Sequence, residues 1–186
     1  MLNPEPSKPN PWEDKMNRLQ ATNHEIPRME EKDLRELIEA LQKSYNMELE
    51  TVANYLANSI YLDGMLAMEI KESLSEDVEE ELGHAKQLAK RIKILGGGIP
   101  GSMDLQMEQG SLQPPQETTD LLSVIQGVIE AETGAIEQYQ KIIEMTEGKD
   151  LVTQDMVINL KGDEEEHRRE FVGFLREYEA LQKQLK

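Results

Sequence analysis

The chain has 186 residues, enough for one domain with a sizeable core. Its formal net charge of −17, from 37 acidic against 20 basic residues, disfavours nucleic acid and anionic membranes as partners and favours cations. Cysteine is absent, which excludes a disulfide framework, a thiolate metal site and cysteine catalysis. No stretch approaches the roughly 18 uninterrupted apolar residues of a membrane span, and no secretory signal stands at the start, so a cytoplasmic protein is expected.

Residues 1–30 carry Pro4, Pro6, Pro9, Pro11 and Pro27 and few apolar side chains, the pattern of an extended tail. Trp12 and His24 fall in it and receive no role. From Glu31 the pattern turns helical, and residues 31–186 are expected to form one all-α domain. Leu34, Leu37, Leu41, Tyr45, Glu48, Val52, Tyr55, Ser59 and Leu62 recur at alternating steps of three and four, one face of a long helix. Glu48 lies on that stripe and Glu50 lies off it. Asp63-Gly64 ends the helix with a short turn, so the next one, from about Met65 to Leu95, runs antiparallel to it. Its stripe reads Ile70, Leu74, Asp77/Val78, Glu81, His84, Leu88, Ile92, Leu95.

Gly96-Gly97-Gly98 and Pro100 stop that helix and open a linker to about residue 118, rich in Gly and Pro. A linker this long inside a domain is best read as a crossover along the length of a bundle. The third helix opens near Thr118, Thr119 or Asp120 and ends at Gly148, with Leu121, Ile125, Val128, Glu132, Ala135, Tyr139 and Ile142 on one face. Glu132 is on the stripe; Glu130 is not. The fourth runs from about Asp150 towards the C-terminus, with Val157, Leu160, Glu164, His167, Phe171, Phe174, Tyr178, Leu181 and Leu185 aligned. Gly162 and Gly173 lower its propensity by about 1 kcal/mol each and are expected to mark close helix approaches.

An offset of 83 or 84 residues maps one half onto the other: Glu48 onto Glu132, Tyr55 onto Tyr139, and Glu81-x-x-His84 onto Glu164-x-x-His167. A single E-x-x-H in an acidic helix is ordinarily a solvated face. Two of them, each in phase with a core stripe and each preceded by a striped Glu, are not. A carboxylate in an apolar core costs several kcal/mol unless it is paired or bound to metal. No Lys or Arg stands on the stripes beside these groups. Four carboxylates carry −4, which two divalent cations cancel. Residues i and i+3 share a helix face, so each E-x-x-H converges on one point. The expected ligands are therefore Glu48, Glu81, His84, Glu132, Glu164 and His167, and their hard oxygen and imidazole donors suit iron or manganese.

Glu48-Leu49 with Asn54-Tyr55, Glu81-Leu82-Gly83-His84-Ala85 and Asp163-Glu164-Glu165-Glu166-His167 resemble the motifs of bacterioferritin and of Dps-like ferritins, over about residues 34–180. That resemblance implies a ferritin-like four-helix bundle of two antiparallel hairpins. It implies a ferroxidase that oxidises Fe(II) with oxygen or peroxide, for iron storage, detoxification and oxidative-stress protection. Glu48 and Glu132 would be terminal ligands, Glu81 and Glu164 bridges, and His84 and His167 would each cap one of two irons. Asp163 and Glu80 would orient ligand histidines, and Tyr55 and Tyr139 would hydrogen-bond near the site. Leu82 stands where bacterioferritin carries a haem-ligating Met, so no haem is expected. The chain ends soon after His167, without room for the fifth helix of 24-subunit shells. A homo-oligomer of the twelve-subunit type is favoured. Rival readings are a di-manganese catalase or another oxidase or peroxidase on the same site, and a metal-free helical scaffold or cargo protein. A rubrerythrin-like peroxidase is disfavoured because its usual second iron centre needs cysteine.

Overall fold

The computed structural model describes residues 29–184; the Pro-rich stretch, Trp12, His24 and Leu185 lie outside them. Among the described residues there are four long helices and no strand: α1 (Glu31–Tyr61), α2 (Ala67–Ile94), α3 (Leu121–Thr146) and α4 (Leu151–Gln184). None of them is long and apolar enough to cross a membrane. α1 packs on α2 and α3 on α4 as two hairpins, and α1 also meets α3, which makes a four-helix bundle.

Helix ends follow local chemistry. α2 begins later than its periodicity suggests, because Met65 and Leu66 complete the turn after Gly64. It ends where Gly96 adopts a φ of 85°, a left-handed position that glycine takes without steric cost. There Gly97 N–H reaches back to the carbonyl of Ile92 at 2.9 Å. Of the three candidate caps for α3, Asp120 does the work, accepting from the Ser123 N–H at 3.2 Å.

The linker is a crossover laid along α1. Gln42 donates to the Gly98 carbonyl at 2.7 Å, and Glu50 accepts from the backbone N–H groups of Glu108 and Gln109 at 2.7 and 2.8 Å. Asn58 then donates to the Leu112 carbonyl at 2.9 Å, and Asp63 N–H to that of Thr118 at 2.8 Å. Successive contacts from residue 42 to residue 63 follow α1 over about 30 Å at 1.5 Å per residue. Glu50 is therefore buried, against the expectation from its stripe position. It sits off the bundle face, but the crossover covers it and supplies two N–H donors to its carboxylate.

A 3-10 turn at Gly110–Leu112 drops Leu112 into the core and lies against α3. At Gly127 a Cβ would come within 2.4 Å of the Ser111 carbonyl oxygen. This close approach is between the crossover and α3. Gly162 and Gly173, expected to mark one, are exposed and have open space around them. Gly127→Ala should push the crossover off α3 at a cost of about 1–3 kcal/mol, read as a lower midpoint in urea unfolding, whereas Gly173→Ala should not destabilise.

The core divides into two apolar clusters. One gathers Leu37, Leu41, Leu88, Ile92, Tyr139, Ile142, Val157 and Leu160; the other gathers Tyr55, Ile70, Leu74, Leu121, Ile125, Val128 and Phe171. On every helix the chain passes from one cluster to the other across a polar residue: Glu48, Glu81 and His84, Glu132, Glu164 and His167. The site lies at the seam.

Candidate metal centre

All six residues singled out by the periodicity are buried, and they converge in the bundle centre. Two overlapping sets form: Glu48, Glu81, His84 and Glu164, and Glu81, Glu132, Glu164 and His167. Within each set the donor atoms lie within 4.8 Å of one another, so each could hold one ion. Glu81 and Glu164 belong to both. The two imidazoles stack 6.5 Å apart at 21°, one over each set.

Each histidine turns Nδ1 inward and Nε2 outward. His84 Nδ1 is 3.1 Å from Glu164 Oε1 and 3.4 Å from Glu81 Oε2; His167 Nδ1 is 3.4 Å from Glu164 Oε2 and 3.5 Å from Glu81 Oε1. The outer nitrogens are held across the hairpins. His84 Nε2 is 3.3 Å from Asp163, and His167 Nε2 is 3.1 Å from Glu80. The tyrosines cross over as well: Tyr55 donates to Glu132, and Tyr139 donates to Glu48. Each half of the repeat thus orients the buried donors of the other.

The electrostatics follow from burying four carboxyls and two imidazoles together. Burial pushes the Glu48 and Glu132 carboxyls well above the usual range, and the charges of Glu81 and Glu164 push in the same direction. Burial also acts to raise Glu81, but the close approach of Glu48, His167 and His84 outweighs it and holds Glu81 below the usual range. Burial works against charge on both imidazoles, yet contacts with Glu164 and Glu81 raise His84 to about 10 and His167 to about 12. Protons on Glu48, Glu132 and both histidines thus supply the positive charge that four neighbouring carboxyls demand. Even so, both oxygens of Glu81, Oε2 of Glu164 and Nδ1 of His167 have no hydrogen-bond partner among the described residues. Buried donors left bare at one point fit a cation and do not fit a solvent-free core.

Two buried groups near the site escaped the sequence reading as functional. Asp77, on the α2 stripe one turn before Glu81, places Oδ1 3.7 Å from His167 Nε2. Burial and the charges of Glu81, Glu170 and Glu80 raise it to about 7, against the lowering effect of His167. Farther off, Arg91 grips Asp150 through two contacts of 2.8 Å and bonds to Thr153 Oγ1 at 2.7 Å. Asp150 also accepts the Thr153 N–H at 3.1 Å, so the pair caps α4 and ties it to α2.

Comparison with known proteins agrees with this architecture. The family model described as "Ferritin-like domain" matches residues 38–181. A DNA protection during starvation protein of Pyrococcus furiosus is 29% identical over 147 residues, covering 77% of this chain and 78% of that protein. The bacterioferritin-related protein of Bacteroides fragilis, described as a dodecameric thioferritin, superposes with a TM-score of 0.73 at 21% identity, covering 92% of this chain and 98% of that one. A ferritin-like, diiron-carboxylate protein of Bacillus anthracis superposes with a TM-score of 0.65 at 26% identity, over 79% of this chain and 99% of that one.

Proposed function

Since the chain belongs to the family of ferritin-like domains, we propose that it is a ferroxidase that takes two Fe(II) as substrate at the bundle centre. The observation that carries this reading is the sharing of Glu81 and Glu164 between two four-donor sets. Such sharing holds two cations side by side and makes their electron transfers concerted. Glu48 and Glu132 are the terminal ligands, steadied by Tyr139 and Tyr55; His84 and His167 each cap one ion through Nδ1. Hydrogen peroxide takes one electron from each Fe(II) and, with two protons, leaves as two waters; oxygen takes the same two electrons with two protons and leaves as hydrogen peroxide. The carboxylates tolerate the higher charge of Fe(III), and the protein's work is positioning and charge compensation. Manganese fits the same donors, and peroxide turnover by a manganese-loaded protein is the rival outcome.

The chain is further proposed to act as a homo-oligomer, a twelve-subunit cage before a 24-subunit one, in line with the dodecameric description of the Bacteroides fragilis relative. Its net charge of −17 draws Fe(II) inward and works against direct contact with DNA phosphates. On this reading, protection consists of removing iron and peroxide together. Residues 1–30 are proposed to be a tail outside the bundle and residues 31–186 the bundle domain. The test is anaerobic loading with Fe(II), then mixing with peroxide or air while Fe(III) absorbance is followed. Oxidation saturating at two Fe(II) per chain supports the proposal; no acceleration over free Fe(II) contradicts it.

A further inference from the structure

The repeat is not perfect, and its flaw lies beside the ligands. The 83-residue offset that carries Glu80 onto Asp163 and Glu81 onto Glu164 carries Asp77 onto Leu160. Asp77 is 7% exposed and Leu160 1%, so both are core positions and only one carries a carboxyl. Among the described residues the outer nitrogen of His167 therefore faces two carboxylates, Glu80 at 3.1 Å and Asp77 at 3.7 Å, whereas that of His84 faces Asp163 alone at 3.3 Å. Glu80 and Asp163 have side chains 61% and 54% exposed, where water screens them. Asp77 is desolvated, and its field on the imidazole is screened far less. Its second oxygen has no hydrogen-bond partner among the described residues, so no other group competes for its charge.

The inner nitrogens differ too. His84 Nδ1 lies within hydrogen-bond distance of Glu164 Oε1, at 3.1 Å, an interaction that an ion on that side must break. Among the described residues His167 Nδ1 has no such partner and is ready to ligate.

On the reading that the centre binds two cations, we propose that its halves fill in a fixed order, with Asp77 as the positioning residue that sets it. The first ion enters among Glu132, Glu81, Glu164 and His167. The second enters among Glu48, Glu81, Glu164 and His84, after Glu164 has been drawn away from His84. A resident first ion and an exchanging second one follow from the same asymmetry.

Anaerobic titration with Co(II), followed by calorimetry and visible absorption, reads binding without turnover. The wild type should show two steps of one ion each, the first about 10-fold or more tighter. His84→Ala should keep the tight step and lose the weak one; His167→Ala should do the reverse. Asp77→Asn, close to isosteric, should weaken the first step about 10-fold and leave the second in place, and Asp77→Leu, copying Leu160, should bring the two steps together. Unfolding damage would weaken both steps alike, and a thermal melt of each variant identifies it. Two equal steps in the wild type, or an unchanged first step in Asp77→Asn, overturns the proposal. Glu81→Leu separates the two levels: if it still binds two Co(II) as the wild type does, the metal centre itself fails. If it loses them while Asp77→Asn changes nothing, only the order fails.

Discussion

Replacing Glu81 by leucine is expected to abolish the protein's response to metal. Glu81 is 1% exposed, and neither of its oxygens has a hydrogen-bond partner among the described residues. Glu81 is a donor in both four-donor sets, so its loss leaves neither complete. With a divalent ion at about 100 times its dissociation constant, each occupied position should stabilise the wild type by about 2.7 kcal/mol. The variant lacks a ligand shared by both positions and should gain nothing. Its Fe(II) oxidation should fall by more than the roughly 10–100-fold that losing an outer partner of a metal ligand costs. Thermal unfolding with and without Co(II), on both proteins, reads the first effect. A scaffold without metal would show the opposite pattern, with no shift in the wild type and no loss in the variant.

Arg91→Ala should be the most damaging substitution outside the centre, costing about 3–5 kcal/mol. Arg91 and Asp150 are 6% and 4% exposed, and removing the guanidinium leaves a carboxylate buried at the start of α4. Arg91→Met combined with Asp150→Asn should recover much of the loss, because no charge is then stranded. Burial acts to raise the Asp150 carboxyl, but the Thr153 and Arg91 hydrogen bonds outweigh it and hold it below its ordinary value. A carboxyl lower in the folded than in the unfolded state stabilises the fold above the unfolded value, about 4. That contribution disappears as pH falls through the folded value. The gap between wild type and Arg91→Ala should therefore be widest near neutrality and narrow below about pH 4, as read from urea midpoints across pH.

The helical stripes carried most of the fold. A three-four period records which face of a helix meets its own bundle, and it distinguished Glu48 from Glu50 and Glu132 from Glu130 by face alone. It does not record what covers the other face. Glu50 is buried by the crossover, and nothing in the spacing of α1 announces two backbone N–H groups arriving from Glu108 and Gln109. Arg91 escaped for a related reason: its partner Asp150 is 59 residues away, in a cap. Asp77 was legible in part. It stands on the α2 stripe as an acidic residue, but a search for symmetry passes over it because its counterpart is Leu160. The repeat that reveals the six candidate donors hides the acidic residue at which its two halves differ.

The crossed tyrosines and crossed carboxylates also depend on tertiary structure. Along the sequence Tyr55 lies two turns beyond Glu48 and Asp163 just before Glu164, neighbours within the same half. The bundle instead pairs Tyr55 with Glu132 and Asp163 with His84. Folding one hairpin alone would leave every one of these donors without its orienting partner. Metal affinity should thus appear only with the complete bundle.

The most direct test of the centre is a crystal of the metal-free protein soaked in Co(II), with anomalous scattering measured at the cobalt edge. The account predicts two peaks per chain, roughly 3.5–4 Å apart, each next to one imidazole Nδ1 and both contacting Glu81 and Glu164. One peak, or none, or peaks only among surface carboxylates, would contradict it.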